Sequence, residues 1–391
     1  MRTIIHFLLC LLLLSSCSFY KAITYKGPHV YDYQNRDQAL FSSSSKAFKW
    51  KLNLSWDLND SCFCKCPENK NVVFQDILKK NKTYALLIFQ NDSLVYFYKH
   101  PNFDVEQKVN SFSISKSILS ALLGIAIGEG YIDNIKDSVG KYVKEANSKI
   151  SKICLEDLLN MRVRFFRDTT FFNRGIQSVS LYYGKNIKKH LHKAVPEPDK
   201  KGFFYCNLSS LLLTWVLEEA TNMPMEEYFN SRLWKPLRTN YNASWILDSK
   251  KNHFPLGFCC LNITVYDLAL FGRLYINNGE VDNKQVIPSF WVEEAFNPNS
   301  FSNLDEQKYE YKHSWRIGEK GKQIFAKGLK GQYLFIDREK NIMIVRVGGS
   351  MKKTNWGQIF QEIIKRYTNS SSKETDSNSN EELQTDRQGL R

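Results

Sequence analysis

Residues 110–132 read NSFSISKSILSALLGIAIGEGYI, and the run from Ile118 to Ile127 carries no charge and a single hydroxyl, Ser120. A helix that is apolar on every side has to be buried on every side. The rest of the chain must therefore wrap around this segment. Its front end holds Ser111, Ser113, Ser115 and Ser117, with Lys116 among them. One hydroxyl is enough to cap a helix N-terminus. Four serines and a lysine call for a second explanation.

Ser113 and Lys116 stand three residues apart, which places them on one helix face. An amine held dry by apolar neighbours loses its preference for the ammonium form. As a neutral amine it can accept the Ser113 Oγ proton, which makes a serine nucleophile without histidine. A serine in the first turn also has a backbone N–H that the helix does not use, a natural half of an oxyanion hole. The Ser-x-x-Lys spacing recurs at Ser18, Ser43, Ser138, Ser350 and Ser370. Only the Ser113 copy opens a long apolar helix. On this helix alone, an N-cap with a snorkelling lysine remains the competing explanation.

The flanking sequence sets the fold class. YALLIFQ and LVYFYKH surround Asn91-Asp92-Ser93, the pattern of a hairpin. After the apolar helix, closed by Gly128 and Gly130, residues 133 to about 250 are mostly helical in pattern. SWRIG, QIFAKG, QYLFID and IMIVRVG then read as strands, and WGQIFQEIIKRYT as a closing amphipathic helix. This order predicts an α+β fold: an antiparallel sheet flanked by helices, built from both ends of the chain, with an inserted all-α domain. The expected organisation is a signal segment over 1–17, a tether and leader over 18–82, the main domain over 83–368 and a disordered polar tail over 369–391.

MRTIIHFLLCLLLLSSC has one basic residue, a short apolar run, two small residues and Cys17. The run is too short to span a bilayer and fits a secretory signal. Its end resembles a bacterial lipobox. The expectation is an exported lipoprotein held at a membrane by acyl chains on Cys17. The net charge of +14 comes from scattered lysines, with no nucleic-acid motif, and reads as a solvated surface. The nine cysteines include Cys62, Cys64 and Cys66 in SCFCKC. This spacing lacks the paired knuckles of structural zinc, so no metal is assigned. HLH at His190 and His192 lacks a third ligand.

Further along, FFYCNLSSLL contains Tyr205-Cys206-Asn207, and FAKGLKGQYLFID is a strand start bracketed by glycines. Ser-x-x-Lys, Tyr-x-Asn and a glycine-containing strand, in that order, resemble the serine β-lactamase and penicillin-binding-protein superfamily. The flanking text is similar to its class C type branch. KGLKGQYLFID looks like the arm with esterases and 6-aminohexanoate-dimer hydrolases. The resemblance covers roughly residues 83–368. It implies a serine hydrolase acting on a small-molecule or peptide-like ester or amide, with no cofactor and no nucleic-acid partner. Ser113 matches the nucleophile, Lys116 its base, and Tyr205 the phenol that shuttles the proton. Asn207 matches the amide that orients the lysine or the substrate, with a helix N-cap as its other reading.

The third motif departs from the pattern. The superfamily carries Lys-Thr-Gly or His-Thr-Gly, and Ala326-Lys327-Gly328 stands here. Ala326 offers no cation for a β-lactam carboxylate. Backbone N–H groups can still serve, with Ser113 and Leu329 as the expected oxyanion donors and Gly328 and Gly331 near the substrate. Trp315 is expected to line the cleft or to pack in the core. A Ser-His-Asp hydrolase would show a Gly-x-Ser-x-Gly elbow, and none is present. A silent binding or sensor lipoprotein, or a true β-lactamase or DD-peptidase, are the alternative readings.

Overall fold

A computed structural model describes residues 27–58, 73–166, 171–197, 202–298, 304–305, 308–318, 321–350 and 354–368. The signal segment with Cys17, the cysteines at 62, 64 and 66, and the tail 369–391 lie outside the described residues.

The chain begins with strands β1 (Gln38–Phe41) and β2 (Lys51–Leu52) and helix α1 (Phe74–Lys80). The expected hairpin follows as β3 (Thr83–Gln90) and β4 (Ser93–Lys99). Asn91 and Asp92 both take positive φ, 49° and 59°, the backbone of a two-residue turn that matches strand twist. After β5 (Val109–Asn110), a 3-10 turn over Phe112–Ile114 leads into α2 (Ser115–Gly128). Every residue from Ser115 to Ala126 is buried, as an apolar helix with no solvent face requires. Gly124 lets it seat against Trp291, because a Cβ there would lie 2.3 Å from the indole ring.

The helical stretch comprises α3 (Val139–Tyr142), α4 (Leu155–Leu159), α5 (Phe171–Tyr183), α6 (Ile187–His192), α7 (Asn207–Thr221) and α8 (Met225–Phe229). Asn222 ends α7 in the left-handed region, which asparagine tolerates. Strand β6 (Ala243–Ile246) falls inside the interval expected to be helical, and pairs with β1 and β7 (Leu261–Ile263). Helix α9 (Val265–Ile276), the small hairpin β8 (Glu280–Val281) and β9 (Lys284–Gln285), and α10 (Ser289–Phe296) follow. The last strands are β10 (Glu310–Lys312), β11 (Trp315–Ile317), β12 (Gln323–Gly328), β13 (Gln332–Asp337) and β14 (Ile342–Gly348). Helix α11 spans 356–368.

Eight strands form one sheet in the order β10-β11-β12-β13-β14-β3-β4-β2. Only the β2–β4 pair is parallel. Both faces are covered. Ala85, Leu87 and Phe89 of β3 join the larger core with α2 and α9, whereas Leu86 and Ile88 join a second core with α1 and α11. A second sheet runs β1-β6-β7-β5 and delivers the chain to the start of α2.

The leader expectation is corrected by this arrangement. Val30, Phe41, Leu58 and Phe74 are buried, and β1, β2 and α1 are part of the fold. Short edge strands such as Gln38–Phe41 carry too little alternation to be read as structure.

Candidate active site

The path into α2 is a tight turn. Asn110 Oδ1 accepts the Phe112 N–H at 2.8 Å, and Phe112 takes φ +48°. An aromatic residue in that region costs about 1–3 kcal/mol, and such positions gather at functional sites. The turn leaves Ser113 partly open while Ser111, Ser115 and Ser117 are buried. Ser111 Oγ and Ser115 Oγ are 3.0 Å apart. Ser115 Oγ accepts the Leu261 N–H at 3.2 Å, and Ser117 Oγ donates to the Ser314 carbonyl at 2.8 Å. These three hydroxyls fasten α2 to its neighbours instead of capping it.

Lys116 is 1 % exposed. Its Nζ lies 3.2 Å from Ser113 Oγ, 3.0 Å from Asn207 Oδ1 and 2.7 Å from the Phe258 carbonyl oxygen. Burial pushes its pKa below the usual lysine value, and neighbouring Tyr205 opposes part of that shift. Cys259 and Cys260, directly after Phe258, are joined by a disulfide. Asn207 is not a cap: Cys206 occupies that position, and the Asn207 amide is turned to Lys116 and, at 3.5 Å, Ser178 Oγ.

Tyr205 stands over this pair. Lys116 Nζ is 4.9 Å from its ring centroid. Burial alone would raise the Tyr205 pKa, but Lys116 and Arg316, with hydrogen bonds toward Ser113 and Lys116, bring it below the ordinary phenol value. Sequence reasoning missed Arg316. No motif marks it, because its place near Tyr205 follows from the order of the strands.

The third-motif strand ends against the serine turn. A Cβ on Gly328 would sit 2.4 Å from the Ser111 carbonyl oxygen and 3.2 Å from Phe112 Cβ, so glycine is needed for this approach. Leu329 follows and is 46 % exposed. Gly331 is buried and its carbonyl accepts from Arg346. Of the two readings of Trp315, the core one is observed. Trp315 is fully buried against Phe271 and Tyr275 and packs in the core. Ala326 is buried and brings no cation.

Among the described residues, no helix is long and apolar enough to cross a membrane. No group of three or more His, Cys, Asp or Glu side chains among them is placed to hold a metal ion.

With this geometry in hand, comparisons with known proteins converge. The family model described as Beta-lactamase matches residues 74–355. A 6-aminohexanoate-dimer hydrolase of Paenarthrobacter ureafaciens is 22% identical over 290 residues, 69% of this chain and 73% of that protein. A solved structure from Bacillus anthracis, provisionally named for the same hydrolase, aligns with a TM-score of 0.75 at 22% identity, covering 87% of this chain and 92% of that one. The penicillin-binding protein of Bacillus halodurans aligns with a TM-score of 0.58 at 11% identity, covering 74% and 98%.

Proposed function

The chain belongs to the Beta-lactamase family and is a serine hydrolase, and from that premise we propose that it cleaves a linear ester or amide through an acyl-enzyme on Ser113. One observation carries the assignment. Buried Lys116 faces two pure acceptors, Phe258 O and Asn207 Oδ1, and one hydroxyl, Ser113 Oγ. A neutral amine has two N–H donors and one lone pair. It can satisfy both acceptors and still take the serine proton.

In the proposed sequence Lys116 removes the Ser113 Oγ proton as Oγ attacks the substrate carbonyl. The oxyanion is received by the backbone N–H groups of Ser113 and Leu329. Tyr205 gives its proton to the leaving alcohol or amine and is reprotonated from the Lys116 ammonium. Water then attacks the acyl-enzyme, with the same pair taking its proton and returning one to Ser113 Oγ.

The absence of a cation at Ala326 favours a linear substrate over a β-lactam, and the Paenarthrobacter relative is named as a hydrolase of the 6-aminohexanoate dimer. The test is a panel of short-chain esters, linear amides and a chromogenic cephalosporin, with a fluorophosphonate probe. The probe should label Ser113, and Ser113→Ala should abolish labelling and turnover. Unchanged ester hydrolysis in Ser113→Ala sinks the reading, and turnover of the cephalosporin alone sinks the substrate class.

We further propose that the mature chain is tethered to a membrane through lipidated Cys17. Fatty-acid labelling in cells should be lost in Cys17→Ala. A label that persists there is incompatible with this anchor.

A further inference from the structure

Tyr205 is faced from several elements. Lys116 lies under its ring from α2, with Ser113 beside it, and Cys206 is the next residue in the chain. From the sheet come Tyr311 on β10, 6.1 Å away and edge-on, and Arg316 on β11, whose Cζ is 6.0 Å from the Tyr205 centroid and 5.5 Å from that of Tyr311. Arg316 Nε is 2.5 Å from Asp305 Oδ2, and the two side chains are only 13 % and 4 % exposed. Arg316 touches neither Ser113 nor Lys116 in the hydrogen-bond network described above.

The proposed cycle creates a specific electrostatic demand. Lys116 must be neutral when it accepts the serine proton, so it cannot be the constant charge that favours a Tyr205 phenolate. An arginine stays protonated at every working pH. The adjacent strand β12 supplies no alternative: Ala326 is a buried alanine, and the Lys327 ammonium lies over Tyr333, 6.0 Å from that ring. Register places Arg316 opposite Phe325, beside Ala326. A guanidinium held by a buried carboxylate is fixed in direction as well as in charge.

We propose that Arg316, clamped by Asp305, is a positioning residue that supplies the permanent positive charge holding Tyr205 ready to carry a proton. This rests on the assignment of Ser113, Lys116 and Tyr205 to the reaction. Asp305 lies behind the guanidinium as its anchor, and removing it alone would free Arg316 to turn.

The direct test is a spectroscopic titration of Tyr205, isolated as the phenolate absorbance of the full-length protein minus that of Tyr205→Phe. Tyr205 is held below the ordinary phenol value while burial pushes its neighbour Tyr311 upward, so the Tyr205 transition should precede that of Tyr311. Arg316→Gln takes the cation away from the buried Asp305 carboxylate, so the working variant is Arg316→Gln with Asp305→Asn. It should raise the Tyr205 midpoint by about one pH unit or more. Turnover of a p-nitrophenyl ester should fall about tenfold in kcat with KM little changed. Arg316→Lys keeps the charge and the partner, and should keep most of the wild-type midpoint. A midpoint in the double variant that matches wild type overturns the proposal. So does a midpoint in Arg316→Lys raised as far as in the double variant, since packing and not charge would then be at work. The titration needs no turnover. A wild-type protein that hydrolysed no ester would therefore count against the Ser113 reading, while the phenolate midpoint would still decide the role of Arg316.

Discussion

The Lys116 Nζ atom lies 2.7 Å from the backbone carbonyl oxygen of Phe258, a partner that cannot donate a proton back. With Asn207 Oδ1 at 3.0 Å, this leaves the lysine lone pair to Ser113. Activity then requires the neutral amine, so kcat/KM should rise with pH along a limb that belongs to Lys116. Burial lowers that pKa from the ordinary 10.5, so the limb should lie below the free-lysine value. Asn207→Asp puts a carboxylate beside the amine and favours the ammonium. The limb should move up by about 1–3 units. A pH–rate profile of Asn207→Asp that superimposes on wild type would rule out Lys116 as the base.

Leu329 is solvent-exposed, and only its backbone N–H is given work as an oxyanion donor. Leu329→Ala should hydrolyse esters within about twofold of wild type, as surface changes usually do little. Leu329→Pro removes the N–H. Gly328 before it has φ −111° and ψ 161°, the extended backbone that a following proline prefers. The fold should therefore persist, while kcat falls about 100- to 1,000-fold, the usual loss of one oxyanion donor. Equal kcat in the two variants would remove Leu329 from the site.

Gly328 meets the Ser111 carbonyl oxygen so closely that a Cβ would stand 2.4 Å from it. Backbone cannot yield as a long side chain can. Gly328→Ala should displace the Ser111–Ser113 turn, costing about 1–3 kcal/mol in stability and most of the labelling of Ser113 by a fluorophosphonate. Chemical denaturation and the labelling rate measure the two effects. Wild-type values in both would show that the strand and the turn are not in contact in solution.

How much of this was legible in the sequence depends on the period and length of each signal. Strands β3, β4, β13 and β14 and helix α2 are long and strongly apolar, and their residue patterns are enough to reveal them. Ser113, Lys116, Tyr205 and Asn207 stand out because they come in motifs, and the fold brings them together. Arg316 and Asp305 belong to no motif. Their closeness to Tyr205 arises from strand order, which spacing along the chain does not encode. Trp315 was ambiguous because a large aromatic beside a cleft and one in a core look alike until the face of the strand is known. The N-cap reading of Asn207 failed because helix starts are uncertain by a residue or two, and that shift frees the amide for Lys116.

The region before α1 shows the same limit. Residues 18–82 read as a tether, yet Gln38–Phe41 pairs with Ala243–Ile246 and Lys51–Leu52 extends the main sheet beside β4. Phe41 packs edge-on against Phe229, with ring centroids 5.0 Å apart, and Trp50 lies 4.2 Å from Phe89. Each large apolar side chain withdrawn from water contributes about 1.5–3 kcal/mol. Val30, Phe41 and Leu58 together therefore represent a large share of the net stability of an ordinary domain. Deleting residues 27–58 should leave a chain that is insoluble or melts well below wild type. Phe41→Ala alone should cost about 3–5 kcal/mol, read by denaturant unfolding. Because β6 pairs with both β1 and β7, and β7 with β5 just before the serine turn, the substitution should also slow fluorophosphonate labelling of Ser113. A deletion variant that melts like wild type and keeps full labelling would return this region to a tether.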